Sequence, residues 1–216
     1  MKNLLYKEFK LSFHPVSFLI LLFGSLLLIP SWPYFIAFAY LFFIVFSNVF
    51  MLDRTNQDML FTASLPIRKK DIVRARVYSV VLFELLQVIA AIPFAVINNA
   101  FYTEGNTSGI NTNFAFFGFV LIMYGLFNLI FLPGFYKTAY KVGPPMILAI
   151  LAAAVYIVAV NAAVLAVPFL TAGLNGLGAN NLQGQLPVLF AGIALFILLT
   201  LGAYRVSAKR FETVDL

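Results

Sequence analysis

Apolar residues fill long, nearly uninterrupted stretches of the chain, and the polar residues are gathered between them. The apolar stretches cover residues 15–30, 32–52, 77–97, 114–136, 144–169 and 187–205. A hydrocarbon core of about 30 Å needs about 20 helical residues, and only the first stretch falls short unless its apolar neighbours are included. The pattern therefore predicts an all-α, polytopic membrane protein with six transmembrane helices, and a single transmembrane domain over residues 1–216.

The composition favours the same class of protein. Of the 216 residues 62% are hydrophobic and 10% are charged, whereas a soluble domain averages about 45–50% apolar and about 25% charged residues. A soluble globule and a disordered chain are excluded, and the lack of cysteine excludes a disulfide scaffold. The net charge of +6 is better explained by membrane topology than by a nucleic-acid partner, and we expect no such partner.

The basic residues are distributed very unevenly over the connections between the six stretches. All 14 Lys and Arg lie in the segments that six crossings place on one side, at residues 2–10, 54–76, 137–141 and 205–210. The three opposite connections carry Glu104 as their only charged residue. Because an excess of Lys and Arg marks the cytoplasmic face, we expect both termini in the cytoplasm of a multi-pass cell-membrane protein.

Two further segments have a distinct character. Residues 1–13 are predicted to form an N-terminal amphipathic helix in the membrane interface, because Leu5, Phe9 and Phe13 recur at helical spacing and the lysines fall on another face. Residues 170–186 are uncharged and rich in glycine. They form either an outer loop or a re-entrant segment, and periodicity leaves both open.

The inventory of reactive residues speaks against an enzyme. His14 is the only histidine and cysteine is absent, so the usual zinc sites and a serine–histidine pair have no basis, and His14 is expected to be interfacial without a chemical role. The sequence contains no GxxxxGK[ST] phosphate-binding loop. We therefore predict no catalytic, metal or cofactor site in this chain.

Residues 53–76 form the only long cytoplasmic loop that the topology allows. A short helix is expected near its start, ending before Pro66, with Met59, Leu60 and Phe61 as large apolar residues flanked by charge. Such a helix suits docking into a groove of a soluble partner. The alternative is a solvated linker with a few residues that touch lipid.

The run LFTASLPIRKKDIVRAR at residues 60–76 resembles the SLP[VI]xRKxIVxxK stretch of ABC-2-type permeases, the membrane subunits of bacterial ABC exporters. The opening LLYKEF at residues 4–9 is similar to the LLxKE start of that family. The resemblance implies a half-transporter that pairs with a second permease copy, as a homodimer or with a sister permease, and with two ABC ATPase subunits that bind ATP and Mg. It also implies that the loop holds the ATPase-docking helix, with the residues Asp58, Met59, Leu60, Phe61, Ser64, Leu65 and Pro66.

The resemblance further implies export of a hydrophobic or amphipathic cargo, such as a toxin or a peptide of the phenol-soluble modulin type, or resistance to peptide antibiotics. The abundance of aromatic residues, including 25 Phe, fits such a cargo. The alternative from another class is an ATP-independent membrane immunity or scaffold protein that works by helix contacts alone.

Polar residues within the apolar stretches are candidates for a translocation path or a dimer seam. They are Asn48, Glu84, Gln87, Tyr124, Asn128 and Asn161. Polar groups in membrane helices usually face the bundle interior. The alternative function is interhelical hydrogen bonding, worth about 0.6–2 kcal/mol for each bond. Gly118 and Gly125 are expected to permit close helix contact.

Overall fold

The computed structural model describes residues 2–12 and 15–214, and within these ranges the regular structure is helical throughout, without a strand. The first helix, α1 (Lys2–Lys7), continues as a π-helical turn at Glu8–Ser12, and a 3-10 helix follows at Pro15–Leu28. Phe13, at the end of the predicted interfacial helix, and His14 lie outside the described residues.

The next helix runs from Phe35 to Thr55 and consists of α2 (Phe35–Tyr40), a π-helical segment (Leu41–Phe46) and α3 (Ser47–Thr55). The remaining helices are α4 (Asp58–Ser64), α5 (Lys69–Phe101), α6 (Phe114–Tyr136), α7 (Gly143–Ala166), α8 (Pro168–Leu174) and α9 (Leu182–Glu212). Among the described residues, five helices are long and apolar enough to cross a membrane: Phe35–Thr55, α5, α6, α7 and α9.

The α6 helix lies at the centre of the bundle and contacts α9 along its length. Glycines make this contact close, because a Cβ atom on Gly192 of α9 would collide with the carbonyl oxygen of Gly118, and a Cβ on Gly118 would lie 2.6 Å from the carbonyl oxygen of Val188. Two turns further along α6, Gly125 packs against Phe196 and Leu199 of α9. The expectation that Gly118 and Gly125 permit close helix contact therefore agrees with their positions against α9.

Phenylalanines join the Phe35–Thr55 helix to α6. Phe38, Phe42, Phe46 and Phe50 recur every fourth residue and are all buried. The rings of Phe42 and Phe127 stack with centroids 3.8 Å apart. Many of the aromatic residues are thus core residues, and packing between helices accounts for them. Their abundance is therefore weaker support for a hydrophobic cargo than the sequence alone indicated.

The connections between helices gather at two opposite ends of the bundle. One end, which we call the basic end, holds Glu8, Asp53 and Arg76 in mutual contact, and there Lys69 also donates a hydrogen bond to the carbonyl oxygen of Val214 at 2.6 Å. The other end, which we call the amide end, contains residues 29–34, 102–113 and 175–181. Its segments are joined by asparagine side chains, for example Asn111 to Asn175 at 2.6 Å.

The 3-10 helix Pro15–Leu28 runs from the basic end to the amide end. Glu8 precedes it at the basic end, and the carbonyl oxygen of Leu27 accepts a hydrogen bond from Asn98 at 2.6 Å at the amide end. A 3-10 helix rises about 2.0 Å per residue, so its 14 residues cover about 28 Å, whereas an α-helix of that length covers about 21 Å. This geometry explains how the shortest apolar stretch traverses the bundle.

Several boundaries differ from the sequence-based prediction. The α5 and α9 helices extend beyond their apolar stretches, because polar residues continue the helical backbone past the apolar part. The glycine-rich stretch 170–186 contains the end of α8 and the start of α9, joined by residues 175–181. Within the N-terminal segment the Phe9 ring stacks on Phe83 of α5 at 6.2 Å and Glu8 is buried, so one face of it contacts protein. Its predicted location in the membrane interface stays a prediction.

Candidate functional site

The α4 helix at the basic end has two different faces. It begins after Gln57, whose φ of 51° turns the chain, and it ends where Leu65 becomes extended before Pro66. On the outer face Leu60, Phe61 and Leu65 are 44%, 65% and 39% exposed. These three side chains, together with the exposed Ser64 and Pro66, present an apolar surface at an end that is otherwise rich in charge.

The inner face of α4 is fixed by a lysine from the N-terminal helix. The Lys7 Nζ atom lies 2.6 Å from Asp58 Oδ2 and also donates a hydrogen bond to Thr62 Oγ1. Asp58 and Thr62 are one turn apart and Thr62 is buried. Of the residues predicted to dock a partner, Asp58 therefore faces α1. Met59 lies in α4, and the remaining five are exposed: Leu60, Phe61, Ser64, Leu65 and Pro66.

Arg76 of α5 forms the centre of a buried ion cluster directly beside this helix. Its Nε atom lies 2.8 Å from Glu8 Oε2, its Nη2 atom contacts Asp53 Oδ2, and its guanidinium lies 5.2 Å from the Phe50 ring centroid. Burial raises the pKa of Glu8, and Arg76 offsets part of that increase. The cluster joins the N-terminal segment, α3 and α5. All three charged groups are buried away from water, so each depends on its ion-pair partner.

Two adjacent residues of the N-terminal segment thus contact two different helices. Lys7 binds α4, and Glu8 binds Arg76 on α5. Both belong to the opening LLYKEF stretch, and their partners Asp58, Thr62 and Arg76 belong to the 53–76 loop. Sequence reasoning did not identify these pairs, because residues about 50 to 70 positions apart give no local pattern beyond opposite charge.

A second group of polar residues lies inside the bundle. Asn128 Nδ2 donates to Glu84 Oε2 at 3.0 Å and to Thr200 Oγ1 at 3.4 Å. Tyr124 donates to Gln87 Oε1 at 2.6 Å, and Gln87 Nε2 donates to the carbonyl oxygen of Ala37 at 2.9 Å. These residues are buried, and their bonds connect α5 with α2 and α6, and α6 with α9.

The six predicted path or seam residues do not form one group. Glu84, Gln87, Tyr124 and Asn128 come together, whereas Asn48 is exposed and bonds the carbonyl oxygen of Ile44 within its own helix. Asn161 is half-buried and accepts a hydrogen bond from the backbone of Ile110 at 3.2 Å near the amide end. The hydrogen bonds of the buried four fit the interhelical alternative.

Two acceptor atoms in the buried group lack a partner among the described residues. They are Glu84 Oε1 and Asn128 Oδ1. Thr200, which completes the group from α9, was not predicted, because a single threonine in a long apolar run has no distinguishing pattern. The arrangement supplies oxygen atoms in the middle of an apolar bundle and no nucleophile–base pair among these residues.

Asparagines also organise the amide end. Asn98 Nδ2 donates to the Tyr34 hydroxyl at 2.9 Å, and Asn113 both caps α6, by accepting from the Phe116 backbone at 3.0 Å, and donates to the carbonyl oxygen of Gly176 at 2.8 Å. The sequence signal for this network was the concentration of Asn between residues 98 and 113. It serves structure, since each bond closes a connection between helices.

Comparisons with curated proteins and with solved structures give no match. A family model matches residues 3–212, nearly the whole chain, and therefore includes both stretches that meet at the basic end. The chain belongs to the family described as ABC-2 family transporter protein, whose members are membrane subunits of ABC transporters.

Proposed function

We propose that this chain is the permease subunit of an ATP-driven ABC exporter and that α4 is its docking helix for the ATPase. The observation that carries the proposal is the two-faced geometry of α4. Its inner face is held by Lys7 through Asp58 and Thr62, and its outer face exposes Leu60, Phe61 and Leu65. An exposed apolar helix face with a fixed orientation suits a groove on a soluble partner.

The contacts of the N-terminal segment suggest how movement would pass from the ATPase into the bundle. A displacement of α4 acts on Lys7, and the neighbouring Glu8 is bound to Arg76 on α5 and through it to Asp53 on α3. Packed and ion-paired elements transmit such shifts as a unit. ATP and Mg bind to the partner, and this chain converts the movement into a rearrangement of helices.

The proposed topology has six crossings, with the basic end in the cytoplasm. It is supported by the placement of all 14 Lys and Arg in segments on one side of the bundle and by the course of Pro15–Leu28 from end to end. The cell membrane of a bacterium is the proposed location. The outward direction of transport is proposed from the family resemblance of the loop at residues 60–76.

A second permease copy, identical or a sister subunit, completes the proposed transporter. The α7 helix supports this assembly, because it buries only Met146, Ala149, Ala153 and Val164 against the bundle. Six of its large apolar side chains are exposed: Ile147, Leu148, Leu151, Val155, Val158 and Leu165. The proposed cargo is hydrophobic or amphipathic, such as a peptide or a peptide antibiotic. A route between subunits lined by apolar helices favours such molecules over small ions.

Docking is tested by co-purification of the chain with a co-expressed ABC ATPase. Phe61→Asp places a charge in the centre of the docking surface, and we expect at least a tenfold loss of ATPase recovered with the permease, because a central apolar contact is typically a hot spot. Tyr140→Asp is the matched control, since Tyr140 is also an exposed aromatic residue, 49% exposed, in the connection between α6 and α7.

Equal recovery of the ATPase with Phe61→Asp and with the unmodified chain, together with intact transport, would disprove the docking role of α4. Failure of every ATPase to associate with the unmodified chain would instead favour the ATP-independent alternative.

A further inference from the structure

A groove lies between α5 and α9 in the half of the bundle nearest the basic end. It has a volume of about 360 Å³, and its apolar lining includes Val77, Val81, Phe196 and Leu201. Leu201 is 50% exposed and Tyr78 is 45% exposed, so the groove opens sideways to the outer surface of the bundle. In a membrane subunit that surface is covered by lipid.

The mouth of this groove carries a positive charge in a fixed position. Arg74 donates from Nε and Nη2 to the Tyr78 hydroxyl at 3.2 and 3.0 Å, and its guanidinium lies 5.4 Å from the Tyr78 ring centroid. Tyr204 lines the same mouth from α9. A guanidinium has five N–H donors and a tyrosine hydroxyl retains its own hydrogen when it accepts, so donors remain for an anion.

No carboxylate of the described residues forms an ion pair with Arg74. Below the mouth the groove is uncharged, and its one hydroxyl, that of Thr200, accepts a hydrogen bond from Asn128. A cation above an apolar channel is complementary to an anionic amphiphile. A small soluble anion would leave the apolar part unfilled.

The groove also has room for a long chain along the helix axes. A second cavity of about 650 Å³ begins one turn further along the same two helices, at Leu85 after Val81 on α5 and at Ile193 before Ile197 on α9. Its lining is mainly apolar, with Asn99, Thr112 and Asn113 near the amide end. An extended acyl chain that starts near Arg74 would pass from the first cavity into the second.

We propose that the α5–α9 groove binds one anionic phospholipid, with its phosphate at Arg74 and the hydroxyls of Tyr78 and Tyr204 and an acyl chain along the groove. Basic pockets between membrane helices on the cytoplasmic side bind anionic head groups in this way. The lipid would fill the space between α5 and α9 and stabilise their packing. This binding needs no ATPase, so it is independent of the docking of α4.

Native mass spectrometry of the full chain in detergent tests the proposal, by titration with phosphatidylglycerol and with phosphatidylcholine of the same acyl chains. We expect the unmodified chain to prefer phosphatidylglycerol and Arg74→Gln to weaken that binding about fivefold, the effect of one cation near a head group. Lys70→Gln is the matched control, because it removes the same charge from an exposed position one turn earlier on α5.

A second pair of variants tests the apolar part of the groove. Leu201→Trp fills the groove and is expected to weaken binding of both lipids, whereas Leu198→Trp, at a residue that is 65% exposed on α9 outside the groove, is expected to leave it unchanged. Equal affinity of the unmodified chain for the two lipids, or equal effects of Arg74→Gln and Lys70→Gln, would overturn the proposal. If the tryptophan variants fail to fold, the glutamine pair decides alone.

Discussion

At the scale of single residues, Arg76 is the side chain on which the basic end depends most. It is buried and forms ion pairs with two buried acidic side chains, Glu8 and Asp53. Its replacement by Met keeps much of the volume and leaves both acids without their cation. Removal of one partner from a buried ion cluster costs about 3–5 kcal/mol, and we expect Arg76→Met to lower the thermal stability of the detergent-solubilised protein by that order.

Two comparisons separate the loss of charge from other effects of this substitution. Lys70→Met removes a charge from an exposed position on the same helix and is expected to be nearly neutral, because exposed charges contribute little. The double variant Glu8→Gln with Arg76→Met is expected to recover part of the loss, since one uncompensated acid is gone. Equal melting temperatures for Arg76→Met and Lys70→Met would contradict the role given to the cluster.

At the scale of helices, the α6–α9 contact is the packing most sensitive to a single methyl group. A Cβ on Gly192 would collide with the backbone of Gly118, and a backbone carbonyl cannot move aside without separating the helices. We expect Gly192→Ala to lower stability by about 1–3 kcal/mol or more, as measured by thermal unfolding followed by size-exclusion chromatography.

The matched control for this helix contact is Gly202→Ala on the same helix. There the nearest atom, Leu129 Cδ1, lies at an ordinary contact distance of 3.7 Å. Because alanine favours a helix over glycine by about 1 kcal/mol, this control is expected to be neutral or stabilising. A Gly192→Ala protein as stable as Gly202→Ala would show that the two helices are further apart than their glycines indicate.

The helices also show what sequence patterns can and cannot predict. The predicted stretch 114–136 coincides with α6, because Asn113 caps its start and a polar connection follows its end. The α5 and α9 helices extend several residues beyond the apolar stretches that predicted them, since hydropathy reports the apolar part of a helix and not its backbone. Partners such as Lys7 with Asp58 require three-dimensional proximity, which periodicity does not encode.

The prediction of buried polar residues had a similar limit. Glu84, Gln87, Tyr124 and Asn128 were selected because polar groups in apolar stretches avoid lipid, and they are buried together. The same rule placed Asn48 in the interior, but its amide is satisfied by the Ile44 carbonyl one turn away and the side chain remains exposed. A local backbone acceptor thus removes the need for burial that the rule assumes.

At the scale of the whole molecule, the number of crossings follows from whether Pro15–Leu28 spans the membrane. The chain has no cysteine, so a single introduced cysteine reports one position. With six crossings, Ser31→Cys at the amide end is expected to react with a membrane-impermeant maleimide in intact cells, together with Thr107→Cys, which is exposed at the same end. Tyr6→Cys and Ser64→Cys, both exposed at the basic end, are expected to react only after the cells are permeabilised.

The four positions distinguish the possible topologies because each alternative topology places a different one of these residues on the other side of the membrane. Since Tyr6 and Ser31 flank the 3-10 helix, they react under different conditions only if that helix crosses the bilayer. Labelling of Tyr6→Cys and Ser31→Cys under the same condition would mean that Pro15–Leu28 does not cross, and the ion pairs of Glu8 and Lys7 at the basic end could then not form as they do here. Reaction of Ser64→Cys in intact cells would place α4 outside, where no ATPase could reach it, and would exclude the docking function on topological grounds alone.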